Sequence, residues 1–159
     1  MDEVLKIIIA DDNYALVDFM KRILEEDKRF KVVGIATNDE EEINLIEREK
    51  PNVVITDLKR KNEYTGLNVI EEFKNKEYKP LFFIVSAMAT GYIEEMRRLN
   101  IDYYLNKPFN DKTFIEKMDR IYEEIYPKRI MIIGDNKIKY HRDNFFERFY
   151  SVVKRRVGI

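Results

Sequence analysis

The chain has no cysteine, a single histidine, and only five glycines and four prolines in 159 residues. Zero cysteine excludes a disulfide framework and fits a cytoplasmic protein. The lone His141 lies near the end and reads as a surface residue, not a phosphotransfer or metal-binding group. The few glycines form no phosphate-cradling run, so a nucleotide-binding loop has no support and any phosphate must be held by metal and lysine. No apolar run approaches the ~20 residues of a membrane span. Met1-Asp2-Glu3-Val4 lacks the basic flank and apolar stretch of a secretory signal. Long-period repeats and low-complexity tracts are missing as well.

Apolar residues make up 45% of the chain, enough for a sizeable core and against wholesale disorder. The length suits one domain plus an extension, with the boundary expected at 127/128. Charge is unevenly spread. Nine Lys/Arg against three Asp/Glu from Lys128 onward put that stretch at +6 and the first 127 residues at −7, within a total of −1. An acidic domain carrying a basic tail is expected.

Strand and helix patterns alternate five times. The strand runs are Leu5–Ala10, Val32–Thr37, Val53–Thr56, Leu81–Ser86 and Tyr103–Leu105. All but the last are continuously apolar, as strands covered on both faces should be. Between them, apolar residues recur at helical spacing: Leu16, Phe19, Met20 and Ile23; Leu67, Ile70 and Phe73; Phe114, Ile115, Met118, Ile121, Tyr122 and Ile125. Asn13, Asn38 and Asn110 are placed to cap the first, second and fifth helices. Pro51 and Pro80 stand just before strands three and four, where a helix must have ended. This alternation predicts a three-layer α/β domain, a five-stranded parallel sheet with helices on both faces. After Tyr126-Pro127 the texture changes to a hairpin (129–133 and 137–140) and a short basic helix with a Phe145, Phe146, Phe149, Val152 and Val153 stripe.

Three strand runs end in charge. The first delivers Asp11-Asp12, the third Asp57, and the fifth Lys107 followed by Pro108. In an open parallel sheet the carboxyl ends of the strands converge on one crevice. Carboxylates there suit Mg²⁺, which takes one or two of them together with water and phosphate oxygens. Aspartate is also a competent nucleophile towards phosphorus. Lys107 brings a point charge for a phosphate oxygen, and Ser86 at the end of strand four offers a hydroxyl.

Asp11-Asp12, Thr56-Asp57, Ser86-Ala87 and Lys107-Pro108, in this order and spacing, resemble the receiver domain of two-component response regulators over roughly residues 4–126. The resemblance implies a flavodoxin-like, doubly wound fold and a switch controlled by phosphorylation. Asp57 becomes the phosphoacceptor for a sensor histidine kinase or phosphotransfer protein. Asp12 ligates Mg²⁺ directly and Asp11 mainly through water, with Asp57 and the backbone carbonyl of Lys59 completing the protein's share. Lys107 pairs with Asp57 and then with phosphate, next to a Pro108 that family members often place after a cis peptide. Ser86 bonds the phosphoryl group, and Tyr104 is the aromatic switch whose surface a downstream effector protein reads.

One region departs from the family pattern. Receivers commonly place Met-Pro after the acceptor and a glycine eight residues on; here the stretch from Leu58 to Thr65 has no proline, and Gly66 stands nine residues on. The loop is one residue longer and strongly basic. Lys59 and Met88, two past Asp57 and Ser86, are placed to tune phosphoryl lifetime through water access. Arg97-Arg98 and Glu40-Glu41-Glu42 read as solvated helix faces. The basic tail is compatible with a docked extension that completes the fold, a partner or homodimer contact through its phenylalanine stripe, or a nucleic-acid contact through Lys154-Arg155-Arg156. The last is disfavoured, because no helix-turn-helix fits 32 residues beside a hairpin. The rival function is a Mg²⁺-dependent phosphohydrolase with an aspartyl nucleophile. Haloacid-dehalogenase-type enzymes carry nucleophile and acid two apart after strand one, whereas these carboxylates are adjacent and the proposed nucleophile follows strand three.

Overall fold

The computed structural model describes residues 3–61, 63 and 65–127, and the backbone alone of 131–133 and 137–139. The Phe145 stripe, the Lys154 cluster and His141 lie outside the described residues. Two compact units are distinguished, Met1–Ile115 and Glu116–Ile159, and the main sheet lies wholly in the first.

The elements alternate as β1 (Leu5–Ala10), α1 (Tyr14–Glu25), β2 (Phe30–Ala36), α2 (Asp39–Glu49), β3 (Val53–Thr56), α3 (Gly66–Phe73), β4 (Leu81–Ser86), α4 (Ile93–Arg98), β5 (Tyr103–Asn106) and α5 (Asp111–Ile125). The five strands are parallel, in the order β2-β1-β3-β4-β5. A short antiparallel pair, β6 (Met131–Ile133) and β7 (Lys137–Lys139), matches the expected hairpin.

Period-two alternation sends strand side chains to two helical layers. Ile8, Val54, Phe82 and Ile84 share one cluster with Ile46 of α2, Val69, Ile70 and Phe73 of α3, Met96 of α4 and Leu99 just after it. On the opposite face Phe83 stacks on Phe114 at the start of α5, with ring centroids 6.0 Å apart. Phe109 meets both Phe114, at 5.6 Å, and Phe19 of α1, at 6.3 Å. All three asparagine caps form: Asn13 accepts from Leu16 N–H at 3.1 Å, Asn38 from Glu41 N–H at 3.0 Å and Asn110 from Thr113 N–H at 2.9 Å.

β2 corrects one expectation. It starts at Phe30, and Lys31 and Ile35 face solvent, Ile35 being 40% exposed. As an outer strand it is covered less completely than β1, β3 and β4 between their neighbours, so an apolar run need not mean full burial.

Candidate functional site

Register brings the site together. Ala10 pairs with Thr56, so β1 and β3 release Asp11 and Asp57 at the same height. Asp57 N–H donates to the Ala10 carbonyl at 2.9 Å, and Asp11 N–H to that of Ala36 at 3.0 Å. β5 pairs Asn106 with Ser86, and Lys107 N–H donates to the Ser86 carbonyl at 3.0 Å. The Lys107–Pro108 peptide is cis. From this edge strand Lys107 reaches across the sheet ends. Its ammonium lies 2.6 Å from Asp11 Oδ2 and 2.9 Å from Asp57 Oδ2.

Backbone N–H groups hold one oxygen of each carboxylate. Asn13 N–H donates to Asp11 Oδ1 at 2.9 Å, Lys59 N–H to Asp57 Oδ1 at 3.2 Å, and Lys61 N–H to Asp12 Oδ2 at 2.8 Å. Asp11, Asp12 and Asp57 each present an oxygen, all within 4.8 Å of one another. Asp11 and Asp57 are buried and Asp12 is half-buried. Burial pushes the Asp11 carboxyl above the ordinary carboxylate range, against the pull of Lys107 and the Asn13 N–H. Burial also works against the Lys107 ammonium, yet its bonds to Asp11 and Asp57 outweigh it and raise its pKa.

Three carboxylates facing one ammonium leave two formal negative charges in this rim. All the donors are hard oxygens, as Mg²⁺ requires, and they form only a partial shell that leaves room for water and phosphate. The residues present therefore fit Mg²⁺. Ser86 is buried at the end of β4, and Tyr104 is half-buried, packed on the cluster of α2, α3 and α4.

A family model for the response regulator receiver domain matches residues 7–119. The chain belongs to that family. This receiver is 30% identical over 122 residues to a transcriptional regulatory protein of Bacillus subtilis, YesN, covering 76% of the chain and 33% of YesN. A second B. subtilis transcriptional regulatory protein, YdfI, is 25% identical over 114 residues, covering 72% of the chain and 53% of YdfI. The receiver thus spans between a third and about half the length of these relatives. Among solved structures, the receiver domain of AraT from Geobacillus stearothermophilus superposes with a TM-score of 0.68 at 25% identity, covering 77% of this chain and 95% of that one. Membership places the chain in two-component signalling, a family whose general features are aspartyl phosphorylation and Mg²⁺, and it disfavours the phosphohydrolase. Among the described residues no helix is long and apolar enough to cross a membrane.

One expectation about the surroundings fails. Glu42 is not on a solvated face: it is fully buried at the start of α2. Arg60, from the basic loop after Asp57, is also buried; its guanidinium contacts Glu42 Oε2 and lies 2.6 Å from Asp39 Oδ1. Burial pushes the Glu42 carboxyl up to about 7, with Arg60 and then the Thr56 hydroxyl pulling it back. The only trace of this cluster in the sequence is an acidic helix start and a basic loop, eighteen residues apart. The remaining charge runs behave as expected: Glu41 caps the Thr37 amide and hydroxyl at 2.8 and 3.0 Å, and exposed Arg98 pairs with Glu71 of α3 at 2.8 Å.

Proposed function

We propose that Asp57 is the phosphoacceptor of this receiver. The observation that carries the reading is the meeting of its carboxylate with Asp11, Asp12 and the Lys107 ammonium around one half-buried rim. An Asp57 oxygen attacks the phosphorus of a phosphohistidine on a sensor kinase or phosphotransfer protein. The new O–P bond replaces the P–N bond, and the leaving imidazole keeps the electron pair. Asp11, Asp12, Asp57 and the Lys59 carbonyl would hold Mg²⁺, which when bound would supply charge neutralisation for the phosphoryl group. Lys107 moves its charge from the carboxylates to the phosphoryl group, and Ser86 donates its hydroxyl there. Water attack at phosphorus later releases phosphate and restores Asp57, so catalysis is confined to the domain's own phosphoryl group.

The switch is local charge read by a bistable surface. Ser86 precedes the loop to α4, and Tyr104 packs on the same cluster as Met96 and Leu99, so a shift of that loop repacks Tyr104. A downstream effector protein reads this surface. The two B. subtilis relatives are transcriptional regulators by name, which makes control of transcription the favoured output for a longer protein or a partner. Residues 1–127 form the receiver and 128–159 a basic extension to it.

The test is a titration of the full chain with fluoroberyllate and Mg²⁺, followed by amide NMR. Shifts are expected at Ser86, Lys107 and Tyr104 in wild type and none in Asp57→Asn. Equal shifts in both proteins would refute the assignment. Turnover of a generic phosphomonoester by wild type would favour the phosphohydrolase instead.

A further inference from the structure

We infer that Arg60 is a positioning residue for the cation site, pinning the loop after Asp57 to the start of α2. The inference deepens the proposed function and rests on its assignment of Mg²⁺ to Asp11, Asp12, Asp57 and the Lys59 carbonyl. Four observations support it.

Arginine is almost never fully buried without a partner. The Arg60 side chain is nonetheless only 2% exposed, forked between Glu42, which is 0% exposed, and Asp39. Its backbone is held as firmly. Arg60 N–H donates to the Glu63 carbonyl and Glu63 N–H to that of Arg60, both at 2.9 Å, closing a tight turn in which Lys61 takes a left-handed φ of 48°. The residues on either side of Arg60 both touch the acidic site, Lys59 N–H on Asp57 and Lys61 N–H on Asp12. Finally, the loop contains no proline to set its path.

Taken together, the side chain of Arg60 grips α2, while its two neighbours are presented to two of the three carboxylates. The buried ion cluster thus does for this longer loop what a rigid residue does elsewhere: it fixes where the Lys59 carbonyl and the Lys61 N–H stand relative to Asp12 and Asp57. Groups that orient metal ligands typically control affinity by about 10–100-fold. A fold-stabilising role alone would leave the affinity of the folded protein unchanged, and the two roles separate experimentally.

Mg²⁺ alone is titrated into the full-length protein by calorimetry, in wild type, Asp39→Asn, Arg60→Lys, Arg60→Met and the double variant Arg60→Met/Glu42→Leu. The double variant removes the two fully buried charges together and leaves only the partly exposed Asp39 without its partner, a smaller burden than a lone Glu42. The expected result is weaker Mg²⁺ binding, about 10-fold or more, in Arg60→Met and in the folded double variant. Arg60→Lys, which keeps the charge but not the fork, and the mild Asp39→Asn should fall between these and wild type. Wild-type affinity in the folded double variant and in Asp39→Asn would overturn the inference, and should the Arg60→Met proteins not fold, wild-type affinity in Asp39→Asn and Arg60→Lys would do so. Wild type that fails to bind Mg²⁺ at all would instead overturn the proposed function, so the two failures are distinct.

Discussion

Glu42 shows how far one residue can depart from its apparent character. It stands last of four in an acidic run, yet it is the one that α2 turns inward, beneath Arg60 and beside Thr56 and Asp39. Burial raises its pKa from 4.5 to about 7 in the folded chain. Between those values the folded state holds a proton that the unfolded state has lost, so stability must fall as pH rises through the window. The contribution is fully present below about 4.5 and gone above about 7. Carboxyls with lowered pKa, such as Glu41, Glu47 and Glu71, have the opposite sign and act below 4.5. Denaturant unfolding of wild type and Glu42→Gln across this range should therefore give curves that converge in acid and diverge towards neutrality, the variant falling less. Parallel curves would contradict a buried, titrating Glu42.

At the scale of elements, the joint between β3 and α3 is the most demanding. α3 starts without a side-chain cap from Thr65; instead Gly66 N–H donates to the Leu58 carbonyl at 3.1 Å. That contact draws the helix start against Asp57 and Leu58, and a Cβ on Gly66 would stand 2.4 Å from the Asp57 carbonyl oxygen and 2.8 Å from Leu58 Cα. Both are backbone atoms and cannot swing aside. Gly66→Ala should cost about 1–3 kcal/mol in chemical denaturation, in the range of overpacking substitutions, and it should displace the amide resonance of Leu58. An unchanged midpoint would show that the joint has slack. The glycine's place nine residues after Asp57 was visible in the sequence; the reason for it was not, because close approach of two backbones leaves no periodic signal. The same contrast holds elsewhere. Asp11, Asp12, Asp57 and Lys107 could be found because each follows a strand run and strand ends share a rim. The three asparagine caps were legible because capping is local. The Arg60–Glu42 pair and the exposure of β2 escaped, since a side-chain partner eighteen residues away and a strand's rank in the sheet are tertiary facts.

At the scale of the whole molecule, the fold is a platform whose strand order puts β1 and β3 at its centre and β5 at its edge. The central strands bring the carboxylates to one height, and the edge strand carries the half-buried Tyr104 and delivers the ammonium of Lys107 just past its end. Chemistry at the centre is thereby linked to a surface at the margin, the arrangement a signalling switch needs. The chain covers only part of the length of its B. subtilis relatives, so what it shares with them is this platform. The claim on which the account depends is that residue 57 accepts phosphate with help from a divalent cation. Intact-mass spectrometry of the full chain after incubation with acetyl phosphate and Mg²⁺ tests it most directly. Wild type should gain one phosphoryl group, and neither Asp57→Asn nor wild type with Mg²⁺ chelated should gain any. A phosphoryl group appearing on Asp57→Asn as readily as on wild type would contradict the account.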